Sequence, residues 1–148
     1  MHTQPNPTRS IPKTSRALPI ALLRARETVM APIRDMLQEA GISEQKWRVL
    51  RTLEECGQIE QSAVSRETCV SMPSLTRILR AMENAGHIAR KIDTRDKRRS
   101  LIRITAKGRA ILSANAARAN EIYDDLEARL GRAKINTLLD LLEELQRH

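Results

Sequence analysis

Residues 61–86 read QSAVSRETCVSMPSLTRILRAMENAG and decide the fold class of the chain. The first eight residues predict a short helix, and a turn at Cys69 and Val70 separates it from a second helix that opens at Ser71. The apolar residues of the second helix follow the i, i+3, i+4, i+7 spacing of one helix face, and Gly86 ends it. They are Leu75, Ile78, Leu79 and Met82. Two short helices joined by a tight turn predict a helix-turn-helix.

A β-hairpin is predicted directly after this unit. Its candidate strands are residues 87–92 and 101–104, where isoleucines recur. The connection, residues 93–99, reads DTRDKRR and is a polar turn with four bases and no glycine. A helix-turn-helix followed by a hairpin with a charged tip is a winged helix. We therefore expect a mainly α fold with one small β-hairpin.

Two helices are predicted before the helix-turn-helix. The first begins near Leu18, with Pro19 in its first turn, where a missing backbone N–H is harmless. Pro32 falls inside the same helix, where proline removes a hydrogen bond and costs about 3 kcal/mol, so we expect a kink or a break. The second helix begins after the N-cap residue Ser43 and extends to Gly57. Its apolar face consists of Trp47, Leu50 and Leu53.

Two amphipathic helices are predicted after the hairpin, one from Lys107 to about Leu130 and one at the end of the chain. The last helix carries an apolar stripe of Ile135, Leu138, Leu139, Leu142 and Leu145. A small winged-helix unit cannot cover two long amphipathic helices, so we expect a second copy of the chain to bury this stripe.

These elements divide the 148 residues into an arm and one domain. The arm, residues 1–17, contains three prolines and no periodic apolar pattern, and it is predicted to be disordered. Residues 18–148 form a single domain. Within it, residues 43–105 are the winged-helix core, and residues 18–41 and 106–148 are N- and C-terminal dimerisation helices.

The formal charge of +8 is concentrated in two segments. Residues 87–104 contain seven bases and two acids, and residues 1–30 contain five bases and one acid. A local basic excess of this kind favours a polyanionic partner such as nucleic acid. Trp47 and Tyr123 are the only aromatic side chains, which argues against modules that stack single-stranded bases on aromatic platforms.

Several other classes lack their sequence signatures. The five glycines form neither a phosphate-binding loop nor a dinucleotide fingerprint, so we do not expect an enzyme or a cofactor. The histidines and the two cysteines are too dispersed for a metal site or a disulfide framework, which favours a reducing, cytoplasmic setting. No apolar stretch approaches the roughly 20 residues of a membrane-spanning helix, so no membrane partner is expected.

The chain resembles the MarR family of bacterial transcription regulators. The resemblance is carried by the run MPSLTRIL at residues 72–79, by MENAGHIAR at residues 82–90 and by D-x-R-D-x-R at residues 93–98. Residues 20–27 and 43–51 resemble, within that family, regulators of homoprotocatechuate degradation operons. The resemblance implies a homodimer that binds a pseudo-palindromic operator in double-stranded DNA. It also implies that a small aromatic carboxylate such as a hydroxyphenylacetate releases a repressor from a catabolic operon.

The candidate DNA contacts lie on two elements. The polar face of the second helix has the composition expected of a helix in the major groove, where arginine reads guanine and hydroxyls reach bases or phosphates. Its residues are Ser71, Ser74, Thr76, Arg77 and Arg80. In the hairpin turn the basic residues are candidates for minor-groove or phosphate contacts, and Asp93 or Asp96 would orient an arginine. These bases are Arg95, Lys97, Arg98 and Arg99.

The candidate ligand-binding residues are Arg26, Trp47 and Arg48. Arg26 lies inside an apolar helix stripe and therefore needs an anionic partner, either a ligand carboxylate or an acid of the other subunit. Trp47 is suited to stacking on an aromatic ring, although a lone tryptophan is also a common core residue. Arg48 and Arg51 lie within reach on the same helix.

Two alternatives remain open at this point. A cysteine could act as a redox switch, but we expect Cys56 and Cys69 to be buried structural residues. A winged helix can also serve as a protein-interaction module whose basic hairpin docks an acidic partner, although the Thr76–Arg77 face would then have no task.

Overall fold

The computed structural model describes residues 10–147. These residues form six α-helices and one three-stranded sheet. The helices are α1 (Leu18–Ala40), α2 (Glu44–Cys56), α3 (Gln61–Thr68), α4 (Met72–Asn84), α5 (Ala106–Leu130) and α6 (Arg132–Gln146). The strands are β1 (Ile59–Glu60), β2 (Ile88–Ile92) and β3 (Ser100–Ile104). The mainly α winged-helix fold is confirmed.

The chain divides between Ala31 and Pro32 into two compact units. Residues 1–9 of the predicted disordered arm lie outside the described residues. Farther along the arm, Thr14–Arg16 form one turn of 3-10 helix, in which Arg16 N donates to the Lys13 carbonyl at 2.8 Å. The disorder expected of the arm as a whole stays a prediction.

Helix α1 continues through Pro32, so of the expected kink or break the break is wrong, and the kink stays a prediction. Proline has no N–H to donate to the carbonyl four residues earlier, which costs about 3 kcal/mol. Three apolar residues after the proline, Ile33, Met36 and Leu37, are buried. Burial of such side chains contributes roughly 1.5–3 kcal/mol each, which exceeds the cost of one proline and keeps the last turns helical.

The core of the second unit is built from aliphatic side chains of α2, α3, α4 and the sheet. The predicted apolar face of α4 is buried as expected. It packs in one cluster with α2, α3 and the strands, whose contributions include Val49, Leu50, Leu53, Val64 and Ile102. The cluster orients α4 so that its opposite, polar face points to solvent.

Strand β3 is the centre of the sheet, which has the order β1-β3-β2 and is antiparallel throughout. The hairpin register pairs Ile88 with Ile104 and Ile92 with Ser100. Strand β1 was not predicted, and it pairs Ile59 with Ile102. Because β1 ends where α3 begins, this pairing joins the hairpin to the start of the helix-turn-helix.

The start of α5 lies against the start of β2. Thr105 is the N-cap, and its Oγ1 accepts from Gly108 N at 3.2 Å and donates to the Gly86 carbonyl at 2.6 Å. A Cβ on Gly108 would overlap the His87 carbonyl oxygen, so only glycine fits this approach. Burial, with Lys107 and Lys46 nearby, lowers the pKa of His87, so its imidazole is neutral at pH 7.

Candidate nucleic-acid interface and ligand cavity

The solvent face of α4 carries cations that are free to bind a ligand. Arg77 and Arg80 are exposed, and within residues 10–147 their side chains form no hydrogen bond or ion pair. Thr76 is also exposed, whereas Ser74 is half-buried. An exposed helix face with two unpaired guanidinium groups has the donors that base edges and phosphates require.

Thr76 is held by two hydrogen bonds on this face. Its Oγ1 donates to the Met72 carbonyl at 3.0 Å and accepts from Gln61 Nε2 at 3.0 Å. The hydroxyl proton is therefore used within the helix, and a remaining lone pair can accept from a donor such as a base amino group. Gln61, the first residue of α3, was missed by the sequence reasoning.

Ser71 is the N-cap of α4, as predicted, but its side chain makes no capping hydrogen bond. Pro73 stands in the first turn and lacks an N–H, and Leu75 N donates to the Ser71 carbonyl at 2.8 Å. The Ser71 hydroxyl and the N–H groups of Met72 and Ser74 thus remain for an anion. A helix N-terminus with free donors suits a phosphate.

The two aspartates of the hairpin turn organise the turn itself. Asp93 Oδ1 accepts from Arg95 N at 2.9 Å, and Asp96 Oδ1 accepts from Arg98 N at 3.0 Å. Asp96 Oδ1 also accepts from Arg98 Nε at 3.2 Å. This last contact is the expected orientation of an arginine by an aspartate, and it directs the guanidinium before any partner arrives.

The remaining bases of the turn fall into two groups. Arg99 forms an ion pair with Glu60 of β1, which attaches the turn to the start of the helix-turn-helix. Arg95 and Lys97 are exposed, and their side chains have no partner within the described chain. Arg95 and Lys97 are therefore the cations of the turn that form no ion pair within the described residues, while Arg99 stabilises the turn through its ion pair with Glu60.

A cavity of about 250 Å³ lies between α2 and α5. Both aromatic residues of the chain line it, together with Arg51, two glutamates and small residues of α5. The full lining is Trp47, Arg51, Glu54, Glu55, Leu112, Ala116, Ala119, Asn120 and Tyr123. Small side chains leave the space, and two rings beside a guanidinium provide an environment suited to an aromatic ring.

Arg51 is placed by contacts with both helices. Its Nη1 donates to Tyr123 Oη at 3.0 Å, and its guanidinium carbon lies 6.0 Å from the centre of the Tyr123 ring. Its Nη2 donates to Glu55 Oε1 at 3.3 Å. A guanidinium has five N–H donors, so three remain for a carboxylate in the cavity.

Trp47 lines the cavity as predicted for a ligand contact, and with 7% of its surface exposed it is also a core residue. Arg48 does not line this cavity, which therefore gives no support to the prediction that it contacts the ligand beside Trp47. Its Nη1 instead donates to the Thr68 carbonyl at 2.6 Å. Neighbouring helix residues point about 100° apart, whereas a residue four positions later returns to the same face. That spacing explains why Arg51, which the sequence analysis also named, lines the cavity with Trp47.

Arg26 lies in the first unit, on the exposed part of α1. Its role as an anion-binding residue stays a prediction.

Cys56 and Cys69 are both exposed, so the expectation of buried structural cysteines is wrong. Cys56 ends α2, and Cys69 follows α3 in the left-handed conformation, with φ 57° and ψ 31°. Both occupy helix ends, where the side chain turns away from the core.

Comparison with known proteins places the chain among transcription regulators. The model of the MarR family matches residues 42–100, which include α4, β2 and the hairpin turn. The HTH-type transcriptional regulator FarR of Neisseria gonorrhoeae is 37% identical over 85% of this chain and 86% of its own. The chain belongs to the MarR family. The homoprotocatechuate degradative operon repressor of Escherichia coli is 34% identical over 86% of both chains.

A solved structure of a similar protein matches nearly the whole chain. NadR in complex with 4-hydroxyphenylacetate superposes with a TM-score of 0.81 at 36% identity, covering 95% of this chain and 97% of NadR. Members of the MarR family bind DNA as dimers. In the present chain α6 has no buried residue, and the leucines of its stripe at 138, 139 and 145 are exposed.

Residues 10–147 contain neither a membrane-spanning helix nor a cluster of metal ligands. No helix in that range combines the length and apolar content needed to cross a bilayer. No cluster of three or more potential metal ligands among histidine, cysteine, aspartate and glutamate occurs there.

Proposed function

We propose that the chain is a homodimeric repressor of an aromatic-acid catabolic operon, released by a small aromatic carboxylate. The cavity between α2 and α5 carries this proposal, because it brings both aromatic side chains of the molecule to one arginine. The names of the relatives support it, since one represses homoprotocatechuate degradation and another was solved with 4-hydroxyphenylacetate. Because the proposed partner is chromosomal DNA, the place of action is the cytoplasm.

DNA binding uses α4 and the hairpin turn of each subunit. Helix α4 enters the major groove, where Arg77 and Arg80 read base edges and the hydroxyls of Ser71, Ser74 and Thr76 contact bases or phosphates. The turn follows the neighbouring minor groove with its exposed cations, Arg95, Lys97 and Arg98, while Arg99 supports the turn through Glu60. The two α4 helices of a dimer occupy successive major grooves about 34 Å apart on a pseudo-palindrome.

Specificity and affinity are expected to separate between α4 and the turn. Arg77→Ala removes a base contact and should lower discrimination at one operator position by roughly 1–3 kcal/mol. Arg98→Ala removes a phosphate or minor-groove contact, so it should weaken binding to most sequences and reduce the salt slope by about one unit. The measurement is binding of both variants to an operator selected from random 30-base-pair DNA, at several salt concentrations.

Arg118→Ala is the matched control, because Arg118 is an exposed arginine of α5 away from both elements. It should bind the operator as the wild type does. An equal loss on operator and random DNA for Arg77→Ala would contradict base reading by this residue.

Effector binding places the ring between Trp47 and Tyr123 and the carboxylate on Arg51. The bond from Arg51 to Tyr123 fixes the guanidinium, and the pair with Glu55 exchanges for the ligand carboxylate. Arg26 remains a proposed second anion-binding residue, and its alternative role is an ion pair between subunits.

The effector is tested by calorimetric titration of 4-hydroxyphenylacetate. The wild type should bind it and release the operator, and Arg51→Ala should bind it about 10- to 150-fold more weakly, because a hydrogen bond to a charged group contributes about 1.5–3 kcal/mol. Arg118→Ala should bind as the wild type does. The neutral amide of the same acid should bind poorly to the wild type, since it lacks the anion.

Normal affinity of Arg51→Ala for the acid would remove Arg51 from the site. A wild type that ignores the acid but loses the operator after peroxide treatment would replace the proposal with a redox switch at the exposed cysteines.

A further inference from the structure

Arg48 is a partly buried cation whose hydrogen-bond partner lies in the turn of the helix-turn-helix. Its Nη1 donates to the carbonyl of Thr68, the last residue of α3, at 2.6 Å. Its Nε is buried and has no hydrogen-bond partner. A buried N–H without a partner disfavours folding, so stability alone does not explain a guanidinium at this position.

The turn that Arg48 contacts has a strained backbone. Cys69 adopts the left-handed conformation, which is unfavourable for a residue with a Cβ atom. Side-chain donors hold the carbonyls on both sides of it, since Ser65 Oγ donates to the Val70 carbonyl at 2.6 Å and Arg48 donates to that of Thr68. Two residues later the chain reaches the N-cap region of α4. The geometry of this turn therefore sets the direction in which α4 begins.

Arg48 also lies on α2, the helix that forms one wall of the cavity, although its own side chain does not line the cavity. It follows Trp47 directly and precedes Arg51 by three residues, and both of these line the cavity. A helix of 13 residues moves as a rigid element, so a displacement of the cavity wall displaces Arg48 as well. The short bond to Thr68 is sensitive to such a displacement, because hydrogen bonds weaken steeply with distance and angle.

We infer that Arg48 transmits the occupancy of the cavity to the turn before α4 and so links effector binding to DNA release. The inference rests on the proposed function. Arg48 is a positioning residue in this scheme, because it touches neither the effector nor DNA. A ligand that favours a displaced α2 weakens the Arg48–Thr68 bond, and the strained turn then relaxes and changes the direction of α4.

The test compares Arg48→Met with the wild type. Methionine has a similar length and fills the same space without a donor. The variant should bind 4-hydroxyphenylacetate with wild-type affinity and should still bind the selected operator. The acid should weaken operator binding of the wild type by about 5- to 150-fold, a typical coupling, and that of Arg48→Met by less than about 2-fold.

A second measurement needs no effector. Hydrogen exchange of the backbone amides at residues 69–71 should be about 10-fold faster in Arg48→Met than in the wild type, since the turn loses one of its two supports. Arg118→Met makes the same arginine-to-methionine substitution at an exposed position, and it should leave both the exchange rate and the operator release unchanged.

The inference is overturned if the acid weakens operator binding by Arg48→Met as much as by the wild type. It is also overturned if amide hydrogen exchange at residues 69–71 is the same in both proteins. If the wild type does not bind the acid, the proposed effector fails, and the exchange measurement decides the role of Arg48 in the turn by itself. If Arg48→Met does not fold, Arg48→Lys decides, because it retains a donor toward Thr68. The inference is supported if the acid weakens operator binding by Arg48→Lys by a factor within about 3-fold of the wild-type factor. It is contradicted if Arg48→Lys binds the acid normally but is not released from the operator.

Discussion

Replacing Gly108 with alanine is expected to lower the free energy of unfolding by about 2–3 kcal/mol, although the same change inside a helix ordinarily raises it by about 1 kcal/mol. The added Cβ would overlap the His87 carbonyl oxygen and lie 2.8 Å from Ile104 Cγ1 and 3.1 Å from Leu50 Cδ2. The carbonyl belongs to the backbone at the start of the hairpin, and the two side chains belong to the packed core. Relief of the overlap therefore requires movement of a helix against the sheet.

Thermal unfolding of the Gly108→Ala variant measures this effect. The melting temperature should fall by about 4–12 °C, because 1 kcal/mol corresponds to about 2–4 °C in a chain of this size. Ser113→Ala is the control, since Ser113 is exposed in the same helix and alanine there should be neutral or slightly stabilising. A Gly108→Ala variant as stable as the wild type would show that α5 and the hairpin do not approach each other so closely.

The double variant Leu138→Asp, Leu145→Asp is expected to be a folded monomer that binds the operator at least about 100-fold more weakly than the wild type. In the single chain these side chains are 47% and 53% exposed, so charge there does not disturb the core of one subunit. In the proposed dimer they are buried, and unpaired carboxylates are costly in such an interface. A monomer also loses the gain in affinity that comes from binding two half-sites together.

Sedimentation and operator titration check this expectation. The double variant should sediment with the mass of one chain, 16.8 kDa, and retain the helical content of the wild type. Asn136→Asp adds a carboxylate to the opposite face of α6 and should remain a dimer. A double variant that stays dimeric would place the interface on another surface of the chain.

Helical spacing sufficed to predict the elements whose stabilising contacts are local. The four apolar residues of α4 and the bounds of α3 followed from a period of 3.6 and from the residues at the turns. Strand β1 could not be found in this way, because two residues carry no periodicity. It exists through its pairing with β3, about 40 residues later in the chain.

The ligand cavity shows the same limit in its side chains. Trp47 could be nominated from its chemistry, but its partner Tyr123 is 76 positions away on another helix, and only the packing of α5 on α2 brings the two together. Of the two arginines named on α2, only Arg51 lines this cavity, because it lies four residues after Trp47 and so on the same helix face. The continuity of α1 through Pro32 depends on buried residues after it, which proline propensity does not include.

The concentration of both aromatic residues in one cavity gives the molecule a natural optical label. The chain has one tryptophan, one tyrosine and no phenylalanine, and the packed cluster of α2, α3, α4 and the sheet contains no aromatic ring. All of its intrinsic near-ultraviolet fluorescence and aromatic circular dichroism therefore originate from Trp47 and Tyr123, which both line the cavity. Emission from an unmodified sample therefore arises from the lining of that cavity alone, without a background from rings elsewhere in the chain.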